Sequence, residues 1–462
     1  MQIKFFGATR EVTGSCFSLT TSEDQILVDC GMFQGDKEIE KMNYDDFKFD
    51  SKKYSALILT HAHLDHCGRI PKLVKYGFRG KIFATEPTRE LARIIMMDSA
   101  KIALEDTNNE NKRRAREGLP PRKPIYNDFD VQVAMKLFVI VNYDEEVKIT
   151  KNIVGTFYDA GHILGSAFVK LNVKEKDKIQ SIVFSGDLGQ ADAVLVKNLE
   201  KIQHADYVVV ESTYGDRLHS SFPERKGELL RVINETYQKG GKLLIPSFAV
   251  ERAQEIIYLL GEFRRKGLIP EMNVYLDSPM AGKATDVFAK FPRYYNENIQ
   301  KILKSKKDLF KFPGFIRIAS VQESKEINNI HDPCIIIAGN GMCTGGRIKH
   351  HIMHNIENSH NTILLVGYQV DGTLGYHLKN GEKKIKLLGV EVDVKAKVEF
   401  TDGFSAHADY QGIIEWLKNF SPKPKKIFIV HGDYNTQEIF SKKLVREGFK
   451  TTIPSFLDEV IL

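Results

Sequence analysis

Three histidines and an aspartate fall within six residues at His61-Ala-His63-Leu-Asp65-His66, directly after the apolar run Tyr54-Ser-Ala-Leu-Ile-Leu. That run reads as a buried strand, so the cluster sits at a strand end. Imidazole and carboxylate together suit zinc or another borderline divalent cation. Alternate residues in extended or turning backbone point to different sides. His61 and His63 can therefore hold one ion while Asp65 and His66 face a second. A polar loop opening a helix is the bland alternative, and three histidines so close together weigh against it.

The chain has 462 residues, too many for one ordinary core, and length alone suggests roughly two to four domains. A hydrophobic content of 42% with 27% charged residues is that of a globular protein in water. The net charge of +6 suits an anionic polymer as partner without identifying one. Five cysteines, Cys16, Cys30, Cys67, Cys334 and Cys343, form no CxxC pair. They read as buried thiols in a reducing, cytoplasmic setting. Lys4 and Arg10 flank only a short apolar patch, which is no secretion signal. No apolar run approaches the ~18 residues of a membrane span.

The first two hundred residues read as strands in quick succession, at 3–6, 16–20, 25–28, 54–59, 81–84, 155–158, 167–173, 181–184 and 207–210. Helical periodicity runs from Pro87 to about 106, and the charged stretch 108–124 reads as an exposed loop or helix end. From about 222 the rhythm changes. Helices at 224–239, 252–266, 283–291 and 347–355 alternate with strands at 242–246, 273–276, 334–338 and 362–366. Such alternation predicts a parallel, doubly wound sheet in a separate inserted domain. The tail, with strands at 397–401 and 426–430, returns to the earlier style.

Several further acids and histidines share one context. Asp29, His162, Asp187, Glu211, His407 and His431 each follow a strand-like run. Any one alone reads as a satisfied structural group. Six in the same context, beside the His61 cluster, point to a single site at the strand ends, where loops held by a rigid scaffold carry chemistry.

These residues resemble a known family. Asp29, His61-x-His63-x-Asp65-His66, His162 and Asp187 are similar to the successive motifs of the metallo-β-lactamase fold. Glu211-Ser-Thr-Tyr-Gly, Ser405-Ala-His407-Ala-Asp and Val430-His431-Gly resemble the further motifs of its β-CASP branch, the nucleases of RNA and DNA processing. Nearest are the RNA-acting members related to the nuclease subunit of the cleavage and polyadenylation specificity factor, in a prokaryotic form without an appended RNA-binding domain. The resemblance spans nearly the whole chain. It implies an α/β fold, a metallo-β-lactamase αββα sandwich at 1–216 and 396–462, with an inserted parallel-sheet β-CASP domain at 217–395. It also implies two zinc ions. His61, His63 and His162 would bind one; Asp65, His66 and His431 would bind the other; Asp187 would bridge them. Asp29 would orient the site from behind. His407 would act as general acid beside Glu211, and Asp65 counts with them as catalytic.

The chemistry is sound on its own terms. Two divalent ions about 3.5–4 Å apart can clamp both oxygens of an in-line displacement and lower the pKa of water from about 15.7 toward about 7. A histidine held as imidazolium by a carboxylate is a suitable donor to a leaving alkoxide.

The insert carries its own pattern at the ends of its strands. The segments are Ser247-Phe-Ala-Val-Glu-Arg252, Asp277-Ser278-Pro-Met-Ala-Gly282, Gly339-Asn-Gly341-Met-Cys-Thr344-Gly-Gly-Arg347 and Asp371-Gly-Thr373. Small, hydroxyl and arginine residues there predict an anion-binding crevice. Ser247, Arg252, Ser278, Gly341, Thr344 and Arg347 are the candidate contacts to an RNA backbone. The glycine loop lacks the Lys-[Ser/Thr] ending of a nucleoside-triphosphate loop, and Gly345 and Gly346 alone equally suit a plain tight turn. His350, His351 and His354 read as an exposed helical face, and His377 as structural. The Lys-rich stretch 379–397 reads as a solvated hairpin face, with an RNA contact as the weaker alternative.

The expected function is zinc-dependent hydrolysis of single-stranded RNA, by endonuclease or 5′-exonuclease action or both. A DNA nuclease of the same superfamily stays open, although a histidine at His431 resembles the RNA branch more. A small-molecule metallohydrolase would not need an insert of this size. A catalytically inactive RNA-binding scaffold conflicts with a complete set of ligand positions. A homodimer is compatible with the sequence.

Overall fold

The computed structural model describes residues 1–176, 178–305, 308–367, 369–370, 372–401 and 403–462; Asp371 lies outside them. The chain forms two compact units, Met1–Leu218 with His407–Leu462, and His219–Ala406.

Strict period-2 alternation builds the first unit. In strand Tyr207–Val210, Val209 faces one apolar core while Val208 and Val210 face another; in Lys426–Ile429, Phe428 opposes Ile427 and Ile429 in the same way. Such strands are apolar on both faces and lie between two layers. The inner core joins two seven-stranded sheets. One contains Gln2–Phe5, Phe17–Thr20, Gln25–Val28, Ala56–Ile58 and Lys81–Thr85; the other contains Ile153–Asp159, Ala167–Glu175, Lys178–Phe184, Tyr207–Val210 and Lys426–Ile429. Outside the second sheet, Ile413, Trp416 and Leu417 of helix Tyr410–Leu417 and Phe440 and Leu444 of helix Tyr434–Arg446 close the outer core. Outside the first lies helix Glu86–Arg116, packed on strands Lys81–Thr85 and Phe138–Val141. This is the expected αββα sandwich.

Helix Glu86–Arg116 is longer than expected. Thr85 caps its N-terminus through Thr88 N, Pro87 occupies the first turn, and helix continues through the charged segment to Arg116. Its last buried residue is Thr107, so the final turns project beyond the body.

The second unit is a six-stranded, wholly parallel sheet in the order Phe315–Arg317, Asn273–Asp277, Cys334–Ala338, Leu243–Pro246, Thr362–Leu365, Lys397–Phe400. Leu243–Pro246 and Cys334–Ala338 are buried along their whole length, as central parallel strands require. Strand Lys397–Phe400 pairs in register with Thr362–Leu365. The second unit therefore runs to Ala406, further than the change in strand style suggested, because backbone pairing holds that strand. The Lys-rich stretch forms the hairpin Lys384–Leu387/Val390–Asp393, with Ile385, Leu387 and Val392 in the core and Lys384 and Lys386 outward.

Candidate metal centre

Both sheets of the first unit end at the same place. His61 and His63 follow strand Ala56–Ile58, and Asp65 and His66 lie in the single helical turn Leu64–Cys67. His162 follows Ile153–Asp159, Asp187 follows Lys178–Phe184, Glu211 follows Tyr207–Val210 and His431 follows Lys426–Ile429. His407 reaches the group through an isolated β-bridge to Gly189. Asp29 and His431 both adopt positive φ, 59° and 52°. Such angles are uncommon for non-glycine residues, although Asp and His tolerate them better than most. Gly31 lets the backbone close up: a β-carbon there would lie 1.5 Å from the Asp65 carbonyl oxygen.

The side chains form two groups. His61 Nε2 and His162 Nε2 each lie 3.1 Å from His63 Nδ1. His431 Nε2 lies 3.2 Å from both His66 Nε2 and Asp65 Oδ2. Asp187 divides its carboxylate between them. Its Oδ2 is 3.2 Å from His61 Nε2 and 3.5 Å from His162 Nε2; its Oδ1 is 3.2 Å from His66 Nε2 and 3.6 Å from His431 Nε2. His61, His66, His162, Asp187 and His431 are buried, while His63, Asp65 and His407 form a partly open rim.

The donor set fits metal ions. Zn–N bonds of ~2.0–2.1 Å in tetrahedral geometry put ligand atoms roughly 3.3 Å apart, which matches these separations. Asp187 Oδ1 is buried yet accepts no hydrogen bond among the described residues. Burial pushes the His61 imidazole down to about 3 and the His63 imidazole to about 4, and it holds His162 well below the ordinary range. These rings keep the lone pair that a cation needs. Burial opposes charge on His66 too, but Asp187 and Asp29 outweigh it and raise its pKa well above the usual value. His431 is raised likewise, against burial, by Asp187 and Asp65. The same negative field attracts cations.

A supporting layer orients the rings. Asp29 Oδ2 is 2.8 Å from His66 Nδ1 and accepts from Thr60 Oγ1 at 2.8 Å, while Oδ1 accepts from Thr60 N at 2.9 Å. Thr60 Oγ1 also touches His61 Nδ1 at 3.1 Å, and Thr213 Oγ1 touches His431 Nδ1 at 3.0 Å. Each contact engages the nitrogen turned away from the cluster, which leaves the inward nitrogen available. Sequence reasoning missed Thr60 and Thr213. The only signal was a hydroxyl residue next to His61 and within Glu211-Ser-Thr.

His407 differs from the others. Its Nδ1 lies 3.1 Å from both oxygens of Glu211 and 3.9 Å from Asp187 Oδ2. Glu211 is fully buried and is itself held by Leu188 N at 2.7 Å and Thr213 N at 3.2 Å. Burial works against a charged His407, but Glu211 and Asp187 prevail and push its pKa up to about 9. Its ring lies 4.5 Å from that of His162 and 5.9 Å from that of His431, beside both groups.

In the second unit the candidate contacts are spread over strand ends with their polar atoms largely engaged. Arg252 is buried in an ion pair with Glu255. Arg347 donates to Asp277 Oδ1 at 2.5 Å and to the Ala319 carbonyl at 3.1 Å. Ser247 Oγ donates to its neighbour's carbonyl at 3.0 Å, and Ser278 caps helix Pro279–Lys290 through Ala281 N at 3.2 Å. Gly341 packs under Phe248. Thr344 is exposed and accepts from Asn340 Nδ2 at 2.9 Å. The expected histidine face holds for His350 and His354 only. His351 is buried and bonds Asp277 Oδ2 at 2.6 Å, because an uncompensated buried carboxylate recruits every donor nearby. His377 pairs with Glu382 at 2.6 Å, a structural contact.

Comparison with known proteins agrees with this geometry. A metallo-β-lactamase superfamily domain matches residues 19–201, a β-CASP domain 253–378, and a Zn-dependent metallo-hydrolase RNA specificity domain 391–454. Ribonuclease TTHA0252 of Thermus thermophilus is 36% identical over 99% of this chain and 99% of its own length. An RNase J-like protein of Methanocaldococcus jannaschii is 33% identical over 93% of this chain and 92% of its own. The transcription termination factor FttA of Methanosarcina mazei is 34% identical over 94% of this chain and 67% of its own. A crystal structure of a protein of unknown function from Enterococcus faecalis shares the fold, with a TM-score of 0.55 at 13% identity, covering 100% of this chain and 99% of that one. Motif order, the divided Asp187 carboxylate and near-full-length similarity converge: the chain belongs to the β-CASP branch of the metallo-β-lactamase superfamily.

Proposed function

We propose that this protein is a ribonuclease that hydrolyses phosphodiester bonds of single-stranded RNA with two zinc ions. The observation that carries the reading is Asp187, whose two oxygens face two separate ligand groups, with the His407–Glu211 pair beside both. His61, His63 and His162 would hold one ion, and Asp65, His66 and His431 the other, with Asp187 shared. Relatives named as ribonuclease and RNase J-like protein support RNA as the substrate.

When bound, two such ions supply Lewis acidity and a nucleophile at neutral pH. The chain's residues do the rest. Asp29, Thr60 and Thr213 fix the tautomers of His66, His61 and His431 through the outward nitrogens. Glu211 anchors His407 by Nδ1, so Nε2 is the nitrogen that can give a proton to the leaving oxygen as the P–O bond breaks. Half-buried Asp65, His63 and His407 mark the side from which a phosphodiester approaches. In the second unit, exposed Thr344 remains a backbone contact. Arg252 and Arg347 serve there as neutralised scaffold charges. Among the described residues no helix is long and apolar enough to cross a membrane. Five buried free cysteines fit a reducing cytoplasm.

The test uses one 5′-labelled RNA and its DNA counterpart, with wild-type protein, the His407→Ala variant, and wild-type protein plus a chelator. Cleavage of RNA by wild type alone is expected, and the product ladder separates internal cutting from end-trimming. Preferred cleavage of DNA, or no cleavage by zinc-replete protein, would overturn the reading.

A further inference from the structure

The chain's positive charge is concentrated in one projection. Residues 108–124 contain Lys112, Arg113, Arg114, Arg116, Arg122 and Lys123 against Glu110 and Glu117, a net of four positive charges in 17 residues. The whole chain carries six, so the other 445 residues share two. We propose that this projection is a docking surface for the phosphate backbone of RNA at a distance from the site of cleavage. The inference rests on the ribonuclease reading and extends it to a second contact on long substrates.

The structure presents these charges on a braced scaffold. Helix Glu86–Arg116 has no buried residue after Thr107, so its last turns stand clear of the body. The chain then folds back along them. Asn111 Nδ2 donates to the Arg122 carbonyl at 2.9 Å, and Arg122 N donates to Asn111 Oδ1 at 2.8 Å. Arg114 Nε donates to the Pro120 carbonyl at 2.8 Å. Pro120, Pro121 and Pro124 stiffen the return strand, and Lys75 Nζ reaches the carbonyls of Pro124 and Ile125 at 3.3 and 3.0 Å. These clasps bring Arg122 and Lys123 alongside the end of the helix. Lys112, Arg113, Arg116, Arg122 and Lys123 are all exposed.

Cations in a last helical turn complement the helix dipole. That accounts for Arg113, Arg114 and Arg116 but not for Arg122 and Lys123, which lie beyond the helix. Acidic neighbours neutralise only part of the charge: Glu110 lies 3.2 Å from Arg122, and Glu117 lies 4.0 Å from Arg113. A polyanion is the complementary partner, and contacts to phosphate position it without reading sequence. The opposite end of the helix is tied to the metal centre's own loop, since Thr85 and Thr88 both bond the Gly165 carbonyl, at 2.6 and 2.7 Å, three residues past His162. A 31-residue helix spans on the order of 45 Å. Only an RNA of many nucleotides could occupy both ends.

The test is the quadruple variant Lys112→Gln, Arg113→Gln, Arg116→Gln and Lys123→Gln, which spares the bracing Arg114 and Arg122. Its steady-state kinetics would be compared with wild type on single-stranded RNAs of about 6 and about 40 nucleotides, over a salt series. Each lost phosphate contact lowers the salt slope by about 0.7 and weakens binding roughly fivefold near 0.1 M salt. The expected result is a KM at least about 20-fold higher on the long RNA, a slope lower by roughly 1.5–3, and unchanged kcat/KM on the short RNA. A version carrying Arg113→Lys and Arg116→Lys alone should behave as wild type, because charge suffices. Equal KM values on the long RNA would overturn the proposal, as would an equal loss on both lengths. If wild type cuts no RNA, the ribonuclease reading fails by itself. Fluorescence anisotropy with the long RNA then decides: weaker binding by the quadruple variant supports the docking surface, and equal binding refutes it.

Discussion

Asp29 is the residue whose loss should separate the two halves of the metal centre. It accepts three hydrogen bonds in a buried pocket, from Thr60 N, Thr60 Oγ1 and His66 Nδ1. In Asp29→Ala, Thr60 N and His66 Nδ1 lose their only acceptor among the described residues. Each stranded buried donor costs about 1–3 kcal/mol. Alanine at φ 59° adds roughly 1–2 kcal/mol of backbone strain. The loss of stability should be roughly 3–8 kcal/mol. Asp29→Asn keeps the size and tolerates the backbone, so it isolates the electrostatics. Its single carbonyl oxygen can serve Thr60 N or His66, not both. If its amide faces His66, Nδ1 becomes an acceptor and the proton moves to Nε2, the nitrogen that must stay free for metal. Altered outer partners typically cost 10–100-fold in metal affinity. One zinc should therefore weaken by about that factor in Asp29→Asn, while the ion at His61, His63 and His162 is retained. Competition with a chromogenic chelator, with zinc stoichiometry counted, reads both sites. Two zinc ions bound as tightly as in wild type would refute the orientation argument.

Other perturbations follow from the same geometry. In metal-free protein, His407 is raised to about 9, so its contribution to stability is complete below the unfolded value of about 6.5 and is lost as pH rises through about 9. Glu211→Gln should shrink that loss, by up to roughly 3 kcal/mol, when wild-type and variant denaturant midpoints are compared from pH 6 to about 9.5; parallel curves would show that the pair is not coupled. Gly31→Ala would drive a β-carbon into the Asp65 carbonyl at 1.5 Å. It should destabilise by about 3 kcal/mol or more and loosen the second zinc, visible together in thermal melts with and without metal. Asp277→Asn strips a buried carboxylate from Arg347, His351 and Ser324. Breaking such a network costs about 3–5 kcal/mol, and the loss should fall on the second unit in hydrogen exchange, with zinc affinity unchanged.

Much of the site was legible before the fold. Histidine and aspartate placed after apolar runs announced both the side chains that the fold gathers and the strand ends that carry them, because strand periodicity and side-chain chemistry are local properties of the chain. The parallel sheet of the second unit was legible for the same reason: uninterrupted apolar runs such as Cys334-Ile-Ile-Ile-Ala alternate with helical segments. Partnership was not legible. Arg252 and Arg347 read as phosphate contacts, and a one-dimensional pattern does not reveal that Glu255 and Asp277 pair with them. His351 looked exposed because helical spacing says which face a residue is on, not whether a buried carboxylate lies opposite. Helix Glu86–Arg116 outran its expected end because polar residues with good helical propensity carry no burial signal.

What the amino-acid order determined by itself is therefore the chemistry on offer: imidazoles and carboxylates of the kind that bind zinc, an acid–imidazole pair and a layered α/β frame to hold them. What only the tertiary structure decided is their grouping. Asp187 faces both groups because strand Lys178–Phe184 ends where its two carboxylate oxygens meet nitrogens from strand ends of both sheets, including His431, 244 positions away. Separations that long are closed by the packing of two sheets around one core, and no local propensity encodes them. Thr60 and Thr213 acquire their roles in the same step, since a hydroxyl becomes an orienting group only when folding brings a ring nitrogen within hydrogen-bond reach.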